Sequence, residues 1–217
     1  MTEVGSPDAP VLESEPAVAA TLFGDRIDVA RSFTNELARR GEELGLIGPL
    51  ELPRLWTRHI LNSALVAPLL EAGGTVGDVG SGAGLPGLVL AIARPDVSMT
   101  LIEPMERRVE WLRGEADRLG LENVTVVRAR AEDVADELVL DQVTARAVSA
   151  LSKLIPLTVP LVRSGGQLIL MKGARVDDEV AAARKVILRK RLKDVEVLEL
   201  GVGVVEETTR VFRATVD

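Results

Sequence analysis

The sequence contains no cysteine, and His59 is the only histidine among its 217 residues. The absence of cysteine excludes disulfide bonds, cysteine-ligated metals and cysteine nucleophiles. A single histidine argues against a zinc site as well. We therefore expect a protein without a bound metal and without a disulfide framework.

Aromatic residues and long apolar runs are also scarce. There are three phenylalanines, two tryptophans and no tyrosine, so a stacking platform for single-stranded RNA is not evident. No run of about 18 uncharged apolar residues is present, which predicts no membrane span. Residues 1–16 hold four acids and no base, the reverse of the basic start of a secretory signal. We therefore expect a cytoplasmic protein.

Charge is distributed unevenly along the chain. The net charge is -7, yet residues 146–193 contain eleven lysines and arginines against three acids. A basic region on an acidic chain is typical of proteins that contact an anionic partner such as RNA, although a solvated helix surface produces the same pattern. The candidate contacts to backbone phosphates are Arg184, Lys185, Arg189, Arg191, Lys190 and Lys193.

The patterning divides the chain into three segments. Residues 1–16 are acidic and contain three prolines, so they are predicted as a disordered tail that buries too little apolar surface to become ordered. Residues 17–72 show apolar residues at helical spacing, in stretches from Ala17 to Leu46 and from Leu52 to Glu71. They are predicted as an N-terminal helical extension. Residues 73–217 form the main domain.

The main domain alternates between predicted strands and helices. Such alternation implies crossover connections, hence an α/β fold with a mostly parallel seven-stranded sheet and helices on both faces. The last two strands are expected to close the sheet as an antiparallel pair. The seven predicted strands are Thr75–Val79, Ser98–Glu103, Asn123–Val127, Asp141–Ala145, Gln167–Met171, Val195–Leu200 and Val211–Val216.

The most informative segment is a glycine-rich loop from Asp78 to Gly87, between a predicted strand and a predicted helix. Glycines let a backbone turn sharply and approach a ligand closely. Two cofactor classes compete for this loop. Its second half, Gly82-x-Gly84-x-x-Gly87, matches the dinucleotide pattern. Its first half, Gly80-x-Gly82-x-Gly84, matches the loop of S-adenosylmethionine (SAM) enzymes.

The register of the loop favours SAM. The first glycine should directly follow the strand, and Gly80 does so. Asp78 is placed to accept from the ammonium group of a zwitterionic ligand and would be awkward beside a pyrophosphate. Glu103, at the end of the second strand, can accept both ribose hydroxyls of an adenosine cofactor. The sequence thus predicts a Rossmann-like, class I SAM-dependent methyltransferase.

The end of the fourth predicted strand limits the chemistry. Residues 143–147 lack the Asn/Asp-Pro-Pro-aromatic motif of exocyclic amine methyltransferases. Methylation of cytosine C5 requires a cysteine nucleophile and is excluded. Guanine N7 is different, because its in-plane lone pair is nucleophilic and has no proton to lose. Methylation of N7 therefore depends on in-line positioning more than on a general base, and a site with few acid–base groups fits it.

Five further motifs accompany the glycine loop, namely Arg58-His59-Ile60-Leu61-Asn62-Ser63, Arg107-Arg108-Val109, Ala131-Glu132, Ala145-Arg146-Ala147 and Lys172-Gly173. In this order, and with the Leu-Pro-Gly ending of the loop, they resemble the RsmG family, also called GidB, from about Leu52 to the C-terminus. The resemblance implies a SAM-dependent enzyme that methylates N7 of a guanine in 16S ribosomal RNA of the small subunit. That family usually has Asp in place of Asn62, and often Asp in place of Glu103.

The loop and the resemblance together define the candidate site residues. Three residues are candidates for catalysis: Arg146, which could also face the RNA, Lys172, which could neutralise a phosphate, and His59. For His59, packing near the cleft is favoured over acid–base catalysis. We expect a monomer. The candidates for cofactor binding are Asp78, Gly80, Ser81, Gly82, Gly84, Leu85, Glu103, Ala131, Glu132 and Arg146.

Three other functions stay open at this point. A small-molecule SAM methyltransferase would need an apolar lid over its substrate, and the basic region gives no reason for one. A NAD-binding oxidoreductase is disfavoured by the loop register. A non-catalytic RNA- or ribosome-binding protein that retains SAM would have the same glycine loop.

Overall fold

A seven-stranded sheet with the strand order β3-β2-β1-β4-β5-β7-β6 organises the main domain in the computed structural model, which describes residues 11–217. Strands β1 to β5 are parallel, and β7 runs antiparallel to both β5 and β6. The predicted sheet is therefore confirmed. The strands are β1 (Thr75–Val79), β2 (Ser98–Ile102), β3 (Val124–Val127), β4 (Leu140–Arg146), β5 (Val162–Lys172), β6 (Lys193–Leu200) and β7 (Thr209–Thr215).

Helices cover both faces of this sheet. One hydrophobic cluster joins the N-terminal extension and α4 to one face, and the other joins α6 and α7 to the opposite face. Parallel strands covered on both sides carry runs of apolar residues, as the end of β5 does at Leu168, Ile169, Leu170 and Met171. The helices are α1 (Val18–Phe23), α2 (Ile27–Arg40), α3 (Asn62–Ala64), α4 (Gly87–Ala93), α5 (Glu106–Arg118), α6 (Leu151–Thr158) and α7 (Val176–Arg189).

The N-terminal extension packs on α4. Its apolar stripe places Phe33 and Leu37 of α2 in the core with no exposed surface, together with the fully buried Leu88 and Leu90 of α4. Because α4 directly follows the glycine loop, this packing holds α4 in place and with it the end of the loop. Truncation of a buried phenylalanine such as Phe33 to alanine is expected to cost about 3–5 kcal/mol.

The second stretch of the extension differs from the single helix predicted from Leu52 to Glu71. It consists of 3₁₀ turns at Leu52–Arg54 and Ala67–Leu69, a π-helix at Leu55–Leu61 and the single turn of α3. Each 3₁₀ turn contains a proline near its start, and proline lacks the N–H that a continuous helix requires. π-Helical turns are frequent at functional sites, and this one contains His59.

The first stretch and the acidic segment also differ in part from expectation. Helix α2 ends at Arg40 rather than at Leu46. The predicted disorder does not hold for residues 11–16, because the backbone N–H of Glu13 donates to the Leu52 carbonyl and Glu15 forms an ion pair with Arg31 at 2.6 Å. The remainder of the predicted tail, residues 1–10, lies outside the described residues.

The described part of the chain contains neither a helix that could span a membrane nor a cluster of metal-ligating side chains. Among residues 11–217, no helix is both long and apolar enough to cross a bilayer. In the same range, histidine, aspartate and glutamate side chains do not gather in threes or more as a metal site would require.

Candidate active site

A cleft lies at the carboxyl edge of the sheet, where β1 has β2 on one side and β4 on the other. The strand order reverses at this point, and ligands bind there in open α/β sheets. The cleft consists of two adjoining cavities of about 340 and 350 Å³. The two cavities share four lining residues, Gly80, Arg108, Arg146 and Ala147.

The glycine loop forms the floor of the second cavity, which Gly80, Ser81, Gly82 and Leu85 line. At Gly82 the backbone has a φ of +55°, a left-handed conformation that favours glycine. A Cβ atom built there would meet only the Gly80 carbonyl oxygen, at 3.7 Å. A side chain at this position would therefore extend into the open part of the second cavity, which we call the Gly82 cradle and which a ligand would occupy.

Asp78 lies beneath the loop rather than in the cleft. It is completely buried, and its Oδ2 accepts from the backbone N–H of Gly87 at 3.0 Å, while Oδ1 has no hydrogen-bond partner within residues 11–217. A Cβ on Gly87 would lie 2.5 Å from Oδ2, so glycine permits this close packing of α4. Burial raises the pKa of Asp78 to about 7. Asp78 therefore supports the loop from beneath, and its predicted pairing with a ligand ammonium group stays a prediction.

Glu103 follows β2 and connects the loop with the first cavity, which it lines. The carboxylate is 2% exposed. Its Oε2 accepts from the N–H of Gly82 and its Oε1 accepts from the N–H of Met105, both at 3.0 Å. A carboxylate has about four acceptor sites, so both oxygens retain capacity for the hydroxyls of a ribose. The predicted role of Glu103 stays a prediction with a geometry that suits it.

Some of the other cofactor candidates line the cleft, and others lie in the loop outside its lining. Ala131 and Glu132 begin a 3₁₀ turn after β3 and line the first cavity, where Met105 and Leu157 add apolar surface. Gly84 lies outside the lining of both cavities, and the Oγ of Ser81 donates to the Asp78 carbonyl at 2.9 Å. Met105 and Leu157 give the first cavity apolar surface on which the face of a flat ring such as adenine can pack.

Arg146 ends β4 and lies between the two cavities. Its Nη2 is 2.6 Å from Nδ1 of His59 and donates to the Arg58 carbonyl at 3.2 Å. The other ring nitrogen of His59, Nε2, is 2.6 Å from Oε2 of Glu51. Since arginine can only donate, Nδ1 must accept and Nε2–H donates to Glu51, which fixes the tautomer of the imidazole.

The surroundings of His59, between Glu51 and Arg146, keep its imidazole neutral. Burial, followed by the positive charge of Arg146, lowers the pKa of His59 to about 4. Burial, with a contribution from Arg58, lowers the pKa of Arg146 to about 10, so that its guanidinium stays charged near neutral pH. These contacts suit a role for His59 in positioning Arg146 rather than in proton exchange. A catalytic role for His59 stays a prediction.

Lys172, at the end of β5, is engaged within the protein. Its Nζ donates to the Ser149 carbonyl at 2.9 Å and pairs with Glu179 of α7 at 2.7 Å. Its side chain is only 9% exposed, so it is not a solvated lysine. These contacts fix the loop after β4, and a phosphate could reach Lys172 only in competition with Glu179.

The basic cluster lies away from the cleft. Helix α7 begins near the carboxyl end of β5 and, with 14 residues, extends about 21 Å. Lys193 then pairs with Thr215, which pairs with Gln167 in the middle of β5, and Gln167 in turn pairs with Gln142 near the amino end of β4. The cluster around Arg189 therefore lies at the opposite edge of the sheet, so it does not contact RNA at the cleft itself.

Sequence reasoning missed two features of the site. Glu51 was not a candidate, although it accepts from His59; an acid eight residues from a histidine gives no periodic signal in an irregular segment. Ala147 has no functional group that would single it out in the sequence, yet it has a φ of +55° and lines both cavities. Such strained residues cluster at functional sites.

The fold and this cleft define a class I SAM-dependent methyltransferase. Solved structures with this fold include a precorrin-6y C5,15-methyltransferase from Geobacter metallireducens, 17% identical with a TM-score of 0.54 over 79% of this chain and 91% of that one. Another is a predicted O-methyltransferase from Agrobacterium tumefaciens, 19% identical with a TM-score of 0.58 over 73% of this chain and 80% of that one. The cradle at Gly82 and the acceptors around it fit SAM, the cofactor of this enzyme.

Sequence comparison gives the family. Residues 26–207 match the profile of GidB, rRNA small subunit methyltransferase G, and the chain belongs to this family. A ribosomal RNA small subunit methyltransferase G from Clavibacter michiganensis subsp. michiganensis is 67% identical over 210 residues, which is 97% of this chain and 99% of that protein. One from Leifsonia xyli subsp. xyli is 66% identical over 205 residues, 94% of this chain and 98% of that protein. The predicted family, fold and cofactor are confirmed.

Proposed function

We propose that this enzyme transfers the methyl group of SAM to N7 of a guanine in 16S ribosomal RNA of the small subunit. The observation that best supports N7 is the state of His59, whose two ring nitrogens are both engaged and whose pKa is lowered to about 4. A nucleophile that must lose a proton would need a base with a pKa near the working pH. The lone pair of N7 needs none.

Each part of the site has a defined task in this reaction. Bound SAM supplies an electrophilic methyl group. The Gly82 cradle receives the cofactor, and Glu103 accepts from its ribose while it holds the Gly82 amide. Arg146, fixed by His59 and by the Arg58 carbonyl, stands between the cofactor cleft and the acceptor side. Preorganised groups of this kind hold the two reactants in line and lower the entropic part of the barrier.

The RNA approaches from the carboxyl edge of the sheet. Arg58 lies on this edge with 46% of its side chain exposed, next to the carbonyl that fixes Arg146. Exposed arginines contact backbone phosphates without reading sequence. We infer that the enzyme acts as a monomer on small subunits in the cytoplasm, with Arg58 as one of its phosphate contacts.

Methyl transfer to small ribosomal subunits tests the proposal. Purified protein and methyl-labelled SAM are incubated with subunits from a strain that lacks the gene. The label should appear in 16S RNA, and borohydride followed by aniline should cleave that RNA at one guanine, as an N7-methylated base does. Label on a ribose or on an exocyclic amine would contradict N7.

A variant without cofactor binding provides the control. Gly82→Val places a branched side chain in the cradle at a left-handed φ, so the folded variant should neither bind SAM in calorimetry nor transfer label. Wild-type protein that binds SAM and subunits but transfers no methyl group would instead support the non-catalytic alternative. Transfer to small molecules alone would support the alternative of a small-molecule SAM methyltransferase.

A further inference from the structure

The segment that follows β4 forms a wall shared by the cleft and a third cavity of about 540 Å³. Ala147 lines this cavity and both cavities of the cleft, and Val148 lines the first cavity of the cleft. Val148 lies directly over the glycine loop, because a Cβ atom built on Gly80 would be 2.8 Å from its Cγ2 atom. The position of this segment therefore sets the shape of the candidate cofactor cleft.

The backbone of this segment does not adopt its conformation by local preference. Ala147 has a φ of +55°, in the left-handed region where a Cβ atom comes too close to the following carbonyl oxygen. A residue other than glycine persists in this region only when its surroundings hold it there. The contacts that hold residues 147–151 must therefore come from neighbouring elements of the fold.

Two side chains from outside the segment supply these contacts. Nζ of Lys172, at the end of β5, donates to the Ser149 carbonyl at 2.9 Å. Oε2 of Glu179, in the first turn of α7, accepts from the backbone N–H of Leu151 at 2.9 Å. The same Oε2 is 2.7 Å from Nζ of Lys172, so one ion pair holds the segment at Ser149 and at the start of α6. The side chains of Lys172 and Glu179 are only 9% and 27% exposed, which limits the screening of this pair by water.

We propose that Lys172 and Glu179 are positioning residues for methyl transfer, which act as one unit by holding residues 147–151 against the glycine loop. This inference rests on the proposed function. The charge of Lys172 is neutralised within the protein by Glu179, so the pair acts through the segment that it holds. Methyl transfer requires the reactants to lie in line, and a displacement of about 1 Å can cost about 100-fold in rate. Loss of either member should therefore slow the transfer step itself.

A direct contact between Lys172 and an RNA phosphate would have the opposite consequence for one substitution. Glu179→Gln keeps an oxygen that can accept from the Leu151 N–H but removes the charge that neutralises Lys172. If Lys172 bound a phosphate, this change would free its charge and strengthen the binding of small subunits. If the pair holds the segment, the same change weakens the contact with Lys172 and slows transfer.

Single-turnover methylation of small subunits from a strain that lacks the gene tests the pair, at saturating SAM and at several subunit concentrations. The variants are Lys172→Met, Glu179→Gln, the double variant and the conservative change Lys172→Arg. Asp178→Asn and Lys153→Met are the matched controls, because they make the same changes of charge at exposed positions of α7 and α6. Calorimetry gives the Kd for SAM, and Tm shows that each variant is folded.

Lys172→Met and Glu179→Gln should each lower the saturating rate by about 10- to 100-fold, while the subunit concentration at half-maximal rate changes by less than about threefold. The double variant should be no slower than the slower single variant, because the two residues act as one unit. Lys172→Arg keeps a charged donor and should be at least about threefold faster than Lys172→Met. If Lys172→Met does not fold, the comparison of Glu179→Gln with Asp178→Asn decides.

Four results would overturn the inference alone. They are equal saturating rates for Glu179→Gln and Asp178→Asn, tighter binding of subunits by Glu179→Gln at an unchanged rate, additive losses in the double variant, and a loss that disappears when SAM is raised further. The second result would assign Lys172 to a phosphate of the RNA. A folded wild-type enzyme that methylates no 16S RNA would overturn the proposed function and this inference together.

Discussion

Nη2 of Arg146 lies 2.6 Å from Nδ1 of His59, and this contact joins the N-terminal extension to the sheet at the cleft. Arg146 belongs to β4 and His59 to the π-helix at Leu55–Leu61. The arginine would otherwise be a flexible group at a strand end, and fixing it costs side-chain entropy of up to about 2 kcal/mol. The extension therefore completes the active site in addition to covering α4.

Substitutions of His59 should separate its contact with Arg146 from proton transfer. In His59→Asn the Oδ1 atom can replace Nδ1 as the acceptor for Arg146, so single-turnover rates should fall less than about threefold. In His59→Leu no acceptor remains, and the rate should fall about tenfold or more, since a hydrogen bond to a charged group is worth about 1.5–3 kcal/mol. Equal losses in the two variants would contradict the positioning role.

The pH dependence of methyl transfer should be nearly flat. With SAM saturating, single-turnover rates should change little between about pH 6.5 and 8.5, because N7 loses no proton and His59, with its pKa lowered to about 4, stays neutral throughout. Rates on saturated enzyme at half-unit intervals check this. A bell-shaped profile that disappears in His59→Asn would show base-assisted transfer instead.

Asp78 should make the stability of the free protein fall with rising pH. Its pKa is raised from 3.8 to about 7 by burial, so between these values the native state binds more protons than the unfolded state. Stability from this group is complete below about pH 4 and is lost as pH rises to about 7. The loss is at most about 4 kcal/mol.

Asp78→Asn removes this titration and keeps an acceptor for the Gly87 amide. Its Tm minus that of wild type should therefore increase from pH 5 to 8, measured without SAM, while its SAM affinity should fall. A constant difference in Tm would show that the wild-type carboxyl does not titrate in this range.

Glu103 should contribute to SAM affinity both directly and through the loop. Glu103→Ala removes the acceptor for the Gly82 amide and for the ribose, so SAM binding should weaken by about 1–3 kcal/mol. Glu103→Asp, the residue often present in the RsmG family, should weaken it less. Calorimetry at one salt concentration measures both variants, and an unchanged Kd in Glu103→Ala would remove Glu103 from the cofactor site.

Charge reversals should distinguish the two edges of the sheet. Arg58→Glu, at the cleft, should weaken RNA binding and reduce its salt dependence, because fewer counterions are released. Reversal of Arg189, Lys190 and Arg191 to Glu should have the smaller effect, since α7 carries them to the opposite edge. Titrations at several salt concentrations compare the two, and a larger effect of the triple reversal would place the RNA over that opposite edge.

Periodicity predicted the sheet well and the extension less well. Strands and helices after residue 73 are continuous apolar or amphipathic runs separated by glycine and polar turns, which is the signal that local sequence carries. The segment from 52 to 69 has helical apolar spacing too, but its 3₁₀ and π turns depend on prolines and on contacts with β4. Hydrophobic spacing does not report such contacts.

The sequence by itself determined the candidate cofactor site, because its parts are local to strand ends: the glycine loop after β1, Glu103 after β2 and Ala131 after β3. Parallel strands bring their carboxyl ends to one edge of the sheet, whatever the order in which the strands lie. Only the tertiary structure decided which side chains meet across elements. In the folded chain His59 contacts both Glu51 and Arg146, and Lys172 pairs with Glu179. The basic cluster lies at the edge of the sheet opposite the cleft. These outcomes depend on packing between residues distant in the chain, which no local pattern encodes.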